Sequence, residues 1–252
     1  MKIALCISGY FTNKANDNLL QSNYIYDNVI NRIKNDAHSL DIFIHSFDKK
    51  SEENIKKKYP QCKKCVIEPQ INFRNGLSSN NLLFEKKLDL DIFPSPITLD
   101  SQISFMYSRK QSIQMALEED TEYDLIIWCR FDMCIRLKKN NSQCNPTKLI
   151  LPDLAKIDTT MLYMSNWDHI LSGYSDHWFF SNPKFMETMS NMYDELYDYY
   201  QIDSDFDKHA MSLSKKYNNN GFRANSHTIH EYYLNSHQIF LSRIKLLKFN
   251  GN

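Results

Sequence analysis

Apolar runs of strand length, each closed by polar residues and separated by stretches of helical period, set the main limit on what this chain can fold into. The first, residues 2–8 (KIALCIS), stops at Ser8-Gly9, the pattern of a central strand running into a turn. Residues 19–33 carry Leu20, Tyr24, Val29, Ile30 and Ile33 at helical spacing, and residues 40–47 (LDIFIHSF) read as a second strand. A strand, a helix and a strand in that order imply a crossover and a parallel pair. Residues 51–58, charged all round, predict a solvated helix, and residues 65–68 (CVIE) a third strand. Residues 101–119 form a helical pattern with Ile103, Met106, Ile113 and Leu117 near one face and Asp100 or Ser101 as cap,. It feeds directly into residues 123–135 (YDLIIWCRFDMCI), a fourth strand. This alternation predicts an α/β fold, a mostly parallel sheet flanked by helices.

The second half reads differently. Short runs at 149–151, 161–164 and 177–180 alternate with loops before a helix over 183–200, which predicts a mixed edge to the sheet. Phe185, Met186, Met189, Met192, Tyr193 and Leu196 repeat at helical spacing and read as core,. Residues 69–96, with breakers at Asn75-Gly76, Pro94 and Pro96, read as a long surface excursion,. No repeat and no Gly-, Pro- or Ser-rich linker divides the 252 residues, so a single domain is expected,.

A formal net charge of +0 with 24% charged residues leaves no global field to attract nucleic acid, so binding is expected to be local,. No apolar run reaches membrane-spanning length, and the first one is much too short for a signal peptide,. A cytoplasmic protein is expected. Of the six cysteines, Cys62 and Cys65 have metal or redox spacing, without the second CxxC or His pair that a zinc site needs,. Asp194, Glu195, Asp198, Asp203, Asp205 and Asp207 read as a solvated acidic face,.

In an open parallel sheet, ligands bind beyond the carboxyl ends of the strands. Three polar groups fall there: Ser8-Gly9-Tyr10, His45-Ser46, and Arg130 with Asp132. The set suits a nucleotide diphosphate. Gly9 permits close backbone approach, Tyr10 can stack on a base, and Arg130 or His45 can meet phosphate charge. Asp132 can hold Mg²⁺ or Mn²⁺ bridging the phosphates. Neither a GxxxxGK[ST] loop nor a GxGxxG fingerprint is present, which argues against a P-loop kinase or a dinucleotide dehydrogenase. Arg109-Lys110 offers either a cationic contact to a donor phosphate or a charged acceptor, or a solvated helical face. His227 and His230, in HTIHEYYL, are candidates for a late ligand or phosphate contact beside a purely structural role,.

KIALCISGY, LDIFIHSF, SQISFMYSRKQSIQMAL leading into YDLIIWCRFDM, and SDHWFFSNPKFM, in that order, resemble the small GT-A-type glycosyltransferases of bacterial surface-polysaccharide clusters and some large viruses. The resemblance runs from the N-terminus to about residue 230. It implies a GT-A-like, Rossmann-like domain that moves a sugar from a nucleotide-sugar donor to a glycan or lipid-linked glycan acceptor, with a divalent metal. The acidic motif usually written DxD stands here as Arg130-Phe131-Asp132, so a base replaces the first acid and Asp132 is left to hold metal or donor hydroxyls,. The loss of that acid keeps open a nucleotide-binding or scaffold protein that has lost the chemistry. Asp176, in SDHWFF, matches the family's acidic position there and is the expected catalytic base, with Asp153 and Glu231 in reserve,. Trp178 offers a sugar platform or a core residue. The C-terminal HQIFLSRIKLLKFNGN offers a closing helix or a membrane-surface contact,.

Overall fold

The structure, a computed structural model, describes residues 1–13, 18–19, 25–36, 38–73, 99–132, 149, 151–166, 173–218, 226–239 and 241–247. Lys2–Ser8 (β1), Ser39–Ser46 (β2), Cys62–Ile67 (β3), Leu125–Arg130 (β4), Leu162–Ser165 (β5), Trp178–Ser181 (β6) and Ile244–Leu247 (β7) form a seven-stranded sheet in the order β3-β2-β1-β4-β6-β5-β7. β1 pairs in parallel with β2 and β4, and β2 with β3. β6 runs antiparallel to both β4 and β5, while β7 returns parallel to β5. The predicted α/β class, mostly parallel with a mixed C-terminal part, is the observed one.

Side chains alternate across each strand, and both faces are covered. One side of the sheet presents Ala4, Cys6, Phe43, Trp128 and Phe179 to helix Leu99–Leu117 and helix Pro183–Tyr199. The other presents Ile3, Leu5, Ile7, Ile42, Ile44 and Ile127 to a helix that opens with a π turn, Ile25–Ile30, continues as Asn31–Asn35 (together α1), and to Glu52–Lys58 (α2). Leu99–Leu117 is α3 and Pro183–Tyr199 is α4; Asp205–Tyr217 (α5) and Ser226–Ser236 (α6) follow. α4 begins where the sequence says it should: Asn182 accepts from the Phe185 amide at 3.0 Å with Pro183 just inside, a cap that contributes about 1 kcal/mol. Phe185, Met186, Met189, Met192 and Leu196 are buried. So is Trp178, with Phe180 on the α1 side of the sheet, which makes it core and not a platform.

Three expectations change. Residues 244–247 form β7 where a closing helix was one expectation, because Ile244 and Leu246 recur at period two and pack against the core,. The fourth strand ends at Arg130, and Phe131-Asp132 turn away from it. Asp207 leaves the acidic face and is buried, accepting the Asp203 amide at 3.1 Å. Of the first helix expected over 19–33, residues 20–24 lie outside the described residues, and the described part opens as a π turn at Ile25. Residues 74–96 of the expected excursion and residues 133–135 of the expected strand lie outside the described residues. No helix among the described residues is long and apolar enough to cross a membrane.

Candidate functional site

Register assembles the site. Ser8 is level with His45 on β2 and with Arg130 on β4, and His177, just before β6, gives its carbonyl to the Arg130 amide. Alternation then points Ser8, His45, Arg130 and His177 to the α3 side of the sheet, the side of Ala4, Phe43, Trp128 and Phe179,. Two loops complete the edge, one carrying Asp132 past β4 and one carrying Gly173 to Asp176 into β6.

On the β2 side the polar groups are consumed within the protein. The Ser8 hydroxyl accepts from the Trp128 indole at 3.0 Å and is fully buried. His45 is 1% exposed. Its Nε2 meets Glu68 at 3.0 Å and its Nδ1 meets the Ser108 hydroxyl at 2.8 Å, a hydroxyl that also lies 3.2 Å from the His45 carbonyl. Burial lowers the His45 pKa against the opposing pull of Glu68, which keeps the ring neutral. The side chains of Ser8 and His45 are thus engaged within the protein at this edge. Gly9, at φ +107, has nothing within 4 Å of where a Cβ would stand, so backbone conformation sets the need for glycine there and the space above it is open. Ser46 donates to the Gly9 carbonyl at 2.7 Å, and Tyr10 donates to Gln70 at 2.6 Å.

On the β4 side, charge collects around one carboxylate. Arg130 grips both oxygens of Asp132, with Nε at 2.7 Å. Its Nη1 stands 3.8 Å from Asp176 Oδ1. The same Oδ1 faces His227 Nε2 at 3.2 Å and His177 Nδ1 at 3.7 Å, while Ser226 donates to Oδ2 at 2.6 Å. Burial alone would raise the Asp176 pKa; the His227 hydrogen bond and the charges of His227, Arg130 and His177 hold it well below the carboxylate range,. Burial likewise works to raise Asp132, and Arg130 brings it down. The His177 pKa falls to about 4, chiefly by burial, and its Nδ1 lies 2.9 Å from the Ser175 hydroxyl.

Asp176, His177 and His227 each present one donor atom within 4.8 Å of the others, so these residues could hold a metal ion. Two imidazoles and a carboxylate suit Mn²⁺ or Zn²⁺ better than Mg²⁺, whose preferred ligands are oxygens. Both oxygens of Asp132, where the sequence placed a metal, pair with Arg130 in this structure. Asp176, the expected catalytic base, lies at this edge with Ser226 and His227 hydrogen-bonded to its two oxygens. Of the reserves, Asp153 sits with Arg32 and Lys156 near the start of β2, at the opposite edge, and Glu231 lies on α6 with His209 at 3.8 Å.

Arg109 is neither on a solvated face nor in the cleft. It is 0% exposed, its guanidinium 5.9, 5.6 and 5.5 Å from the rings of Phe105, Trp128 and Phe179, which replace part of its lost hydration. Burial brings its pKa down to about 10, with Asp176 working the other way. Arg109 donates to His230 Nε2, which fixes the hydrogen of that ring on Nδ1, and Nδ1 donates to the Ser226 carbonyl at 2.7 Å. A relay therefore runs from α3 through His230 and Ser226 to Asp176. Lys110, by contrast, stays at the surface and pairs with Asp194. Gly173, at φ +95, locks the other side: a Cβ there would stand 2.1 Å from the His227 carbonyl oxygen, which also accepts the Tyr174 amide at 3.1 Å.

Sequence reading missed His177, Ser226 and Glu68. For His177 a signal existed, an Asp-His pair immediately before an aromatic strand.

No family model matches the chain, and no curated protein matches it. Among solved structures, the apo form of mouse xyloside xylosyltransferase 1 is similar, with a TM-score of 0.42 and 11% identity over 97% of this chain and 85% of that one.

Proposed function

We propose that the protein is a glycosyltransferase that moves a sugar from a nucleotide-sugar donor to a glycan or lipid-linked glycan acceptor. The observation that carries this reading is the meeting of Arg130, Asp132, Asp176, His177 and His227 at one carboxyl edge, beside the open backbone of Gly9. The motif resemblance adds the donor class and the polysaccharide setting. In such a transfer the bond from the sugar's anomeric carbon to the diphosphate breaks, a bond to an acceptor oxygen forms, and the acceptor's proton passes to a base. Charge accumulates on the leaving diphosphate, where stabilisation matters most. The Arg130 fork, already matched to a carboxylate, suits phosphate oxygens equally well. Gly9 lets the main chain approach, and Tyr10 lies beside it for the base. Asp132, released as Arg130 turns to phosphate, takes donor hydroxyls. Asp176 serves as an anchor for cations, with His177 and His227 as its partners in holding a divalent ion, which when bound supplies Lewis-acid charge to the diphosphate.

Thermal shifts with a panel of nucleotide sugars, with and without Mn²⁺, test this. A matching donor at a hundred times its Kd adds about 2.7 kcal/mol, more with Mn²⁺ than without. Arg130→Ala and Asp132→Ala should fold, lose most of the donor-induced shift, and fail to transfer sugar. If no nucleotide sugar shifts the melting point under either condition, the reading falls. Binding without turnover would mark a nucleotide-binding protein that has lost the chemistry.

A further inference from the structure

Residues three apart on a regular strand point to opposite faces, so a Cys-x-x-Cys in β3 would ordinarily hold its sulfurs apart. β3 is not regular. Its register against β2 runs Ile42 to Cys62, then Phe43 to Lys64 and Ile44 to Cys65, which leaves Lys63 as an inserted residue. The bulge returns Cys65 to the face that Cys62 occupies. Both side chains, half-buried, pack against the core on the α1 side, and the Cys62 thiol faces the Ile42 carbonyl at 3.2 Å and the Lys64 carbonyl at 3.1 Å. Lys63 turns outward to Asp41 at 2.9 Å and Glu119 at 3.0 Å, which holds the bulge in place. Both cysteines are free, and β3 is the outermost described strand on its side, so no further ladder restrains it.

We propose that Cys62 and Cys65 form a modification site, a dithiol that reacts with low-molecular-weight disulfides and closes to an intramolecular disulfide across the bulge. Polarisation within the pair sets the order of events. Hydrogen bonding to Cys65 and burial keep the proton on Cys62, whereas the hydrogen bond from Cys62, and then the Lys56 ammonium, lower the Cys65 pKa,. The Cys65 thiolate attacks the small disulfide, forming a mixed disulfide and expelling one thiolate. Cys62, giving up its proton to that thiolate, then attacks the Cys65 sulfur and expels the second. Two protein thiols are oxidised, and one small disulfide is reduced to two thiols.

The test treats the full chain with oxidised glutathione at neutral pH and maps tryptic peptides without reduction. Trypsin cuts after Lys63 and Lys64, between the two cysteines, so a closed disulfide keeps two tryptic fragments joined until dithiothreitol is added. Mapping also separates this pair from Cys6 and Cys129, which are fully buried, and from Cys134 and Cys144. In Cys62→Ser, or Cys62→Ala as a second variant, glutathione should accumulate on Cys65. In Cys65→Ser, Cys62 should react about tenfold more slowly, as its smaller thiolate fraction dictates. A stable glutathione adduct on Cys65 of the unaltered chain with Cys62 still reduced, or reaction of both cysteines no faster than in the urea-unfolded chain, would overturn the proposal.

Discussion

On the β2 side of Ser8 polar groups answer one another in pairs, Ser8 with Trp128 and His45 with Glu68 and Ser108. On the β4 side Arg130, His177, His227 and Ser226 all turn to one carboxylate, Asp176. Both sides stand at strand ends and look alike in sequence, as short apolar runs finishing on Ser, His or Arg. Their difference is one of valence. A buried imidazole with both nitrogens engaged has nothing left for a ligand, whereas two carboxylates sharing one guanidinium leave a place for a further cation. Polar residues at a carboxyl edge therefore mark a site only where the protein leaves part of their bonding unspent.

The comparison can be broken most severely at Gly173. Gly173→Ala should cost roughly 3 kcal/mol or more, since a Cβ meets backbone and the φ is one that side chains avoid,. Urea unfolding measures it, and a variant as stable as the parent would mean that the loop and α6 are not locked together. The damage should stay on the Asp176 side.

Next in size is Arg109. Arg109→Ala leaves a cavity and an unpartnered His230 and should cost about 3–5 kcal/mol. Arg109→Met, which fills the aromatic cage without a buried charge, should recover most of that stability while still weakening Mn²⁺ binding through the lost relay. Full Mn²⁺ affinity in Arg109→Met would cut the relay out of the account.

Acid should also separate the two states of the chain. Burial, then the Arg109 charge, lower the His230 pKa to about 3. A histidine unfolded near its usual 6.5 takes up a proton that the native ring refuses, so its contribution is complete above pH 6.5 and is lost as pH falls toward 3. Stability should drop by on the order of 2 kcal/mol between pH 7 and pH 4 from this group, and His230→Gln should flatten that slope. An unchanged slope in the variant would assign the acid sensitivity elsewhere.

The smallest effect belongs to the satisfied side. Ser108→Ala removes one hydrogen bond to His45 and should cost about 1 kcal/mol with donor-induced thermal shifts unchanged. Loss of donor binding there would erase the distinction between the two sides.

Much of the frame was legible in sequence because period and length agree: β1, β2, β4, α3 and α4 stand close to their expected positions. Two causes account for the rest. Charged residues disguised structure locally, as when CKKC hid the start of β3, which begins at Cys62 instead of residue 65, and when RIKLL hid β7. Other features are built from distant parts. Arg109 beside Lys110 looks like a solvated pair, and only Trp128, Phe179 and His230, from three other elements, enclose it. The same holds for the group that could hold a metal, two of whose three residues were visible as Asp176 and His227 while its coherence depends on α6 returning to β6.

Trp128 gives the site an optical voice. Its indole N–H ends on Ser8, on the satisfied side, and its ring faces the Arg109 guanidinium, the first link of the relay to Asp176. Indole emission responds to neighbouring charge, so one fluorophore already in the chain reads both sides at once. With Trp167 and Trp178 both replaced by Phe, the emission change on adding Mn²⁺ or a nucleotide sugar would report how far a disturbance at one end of the edge travels toward the other.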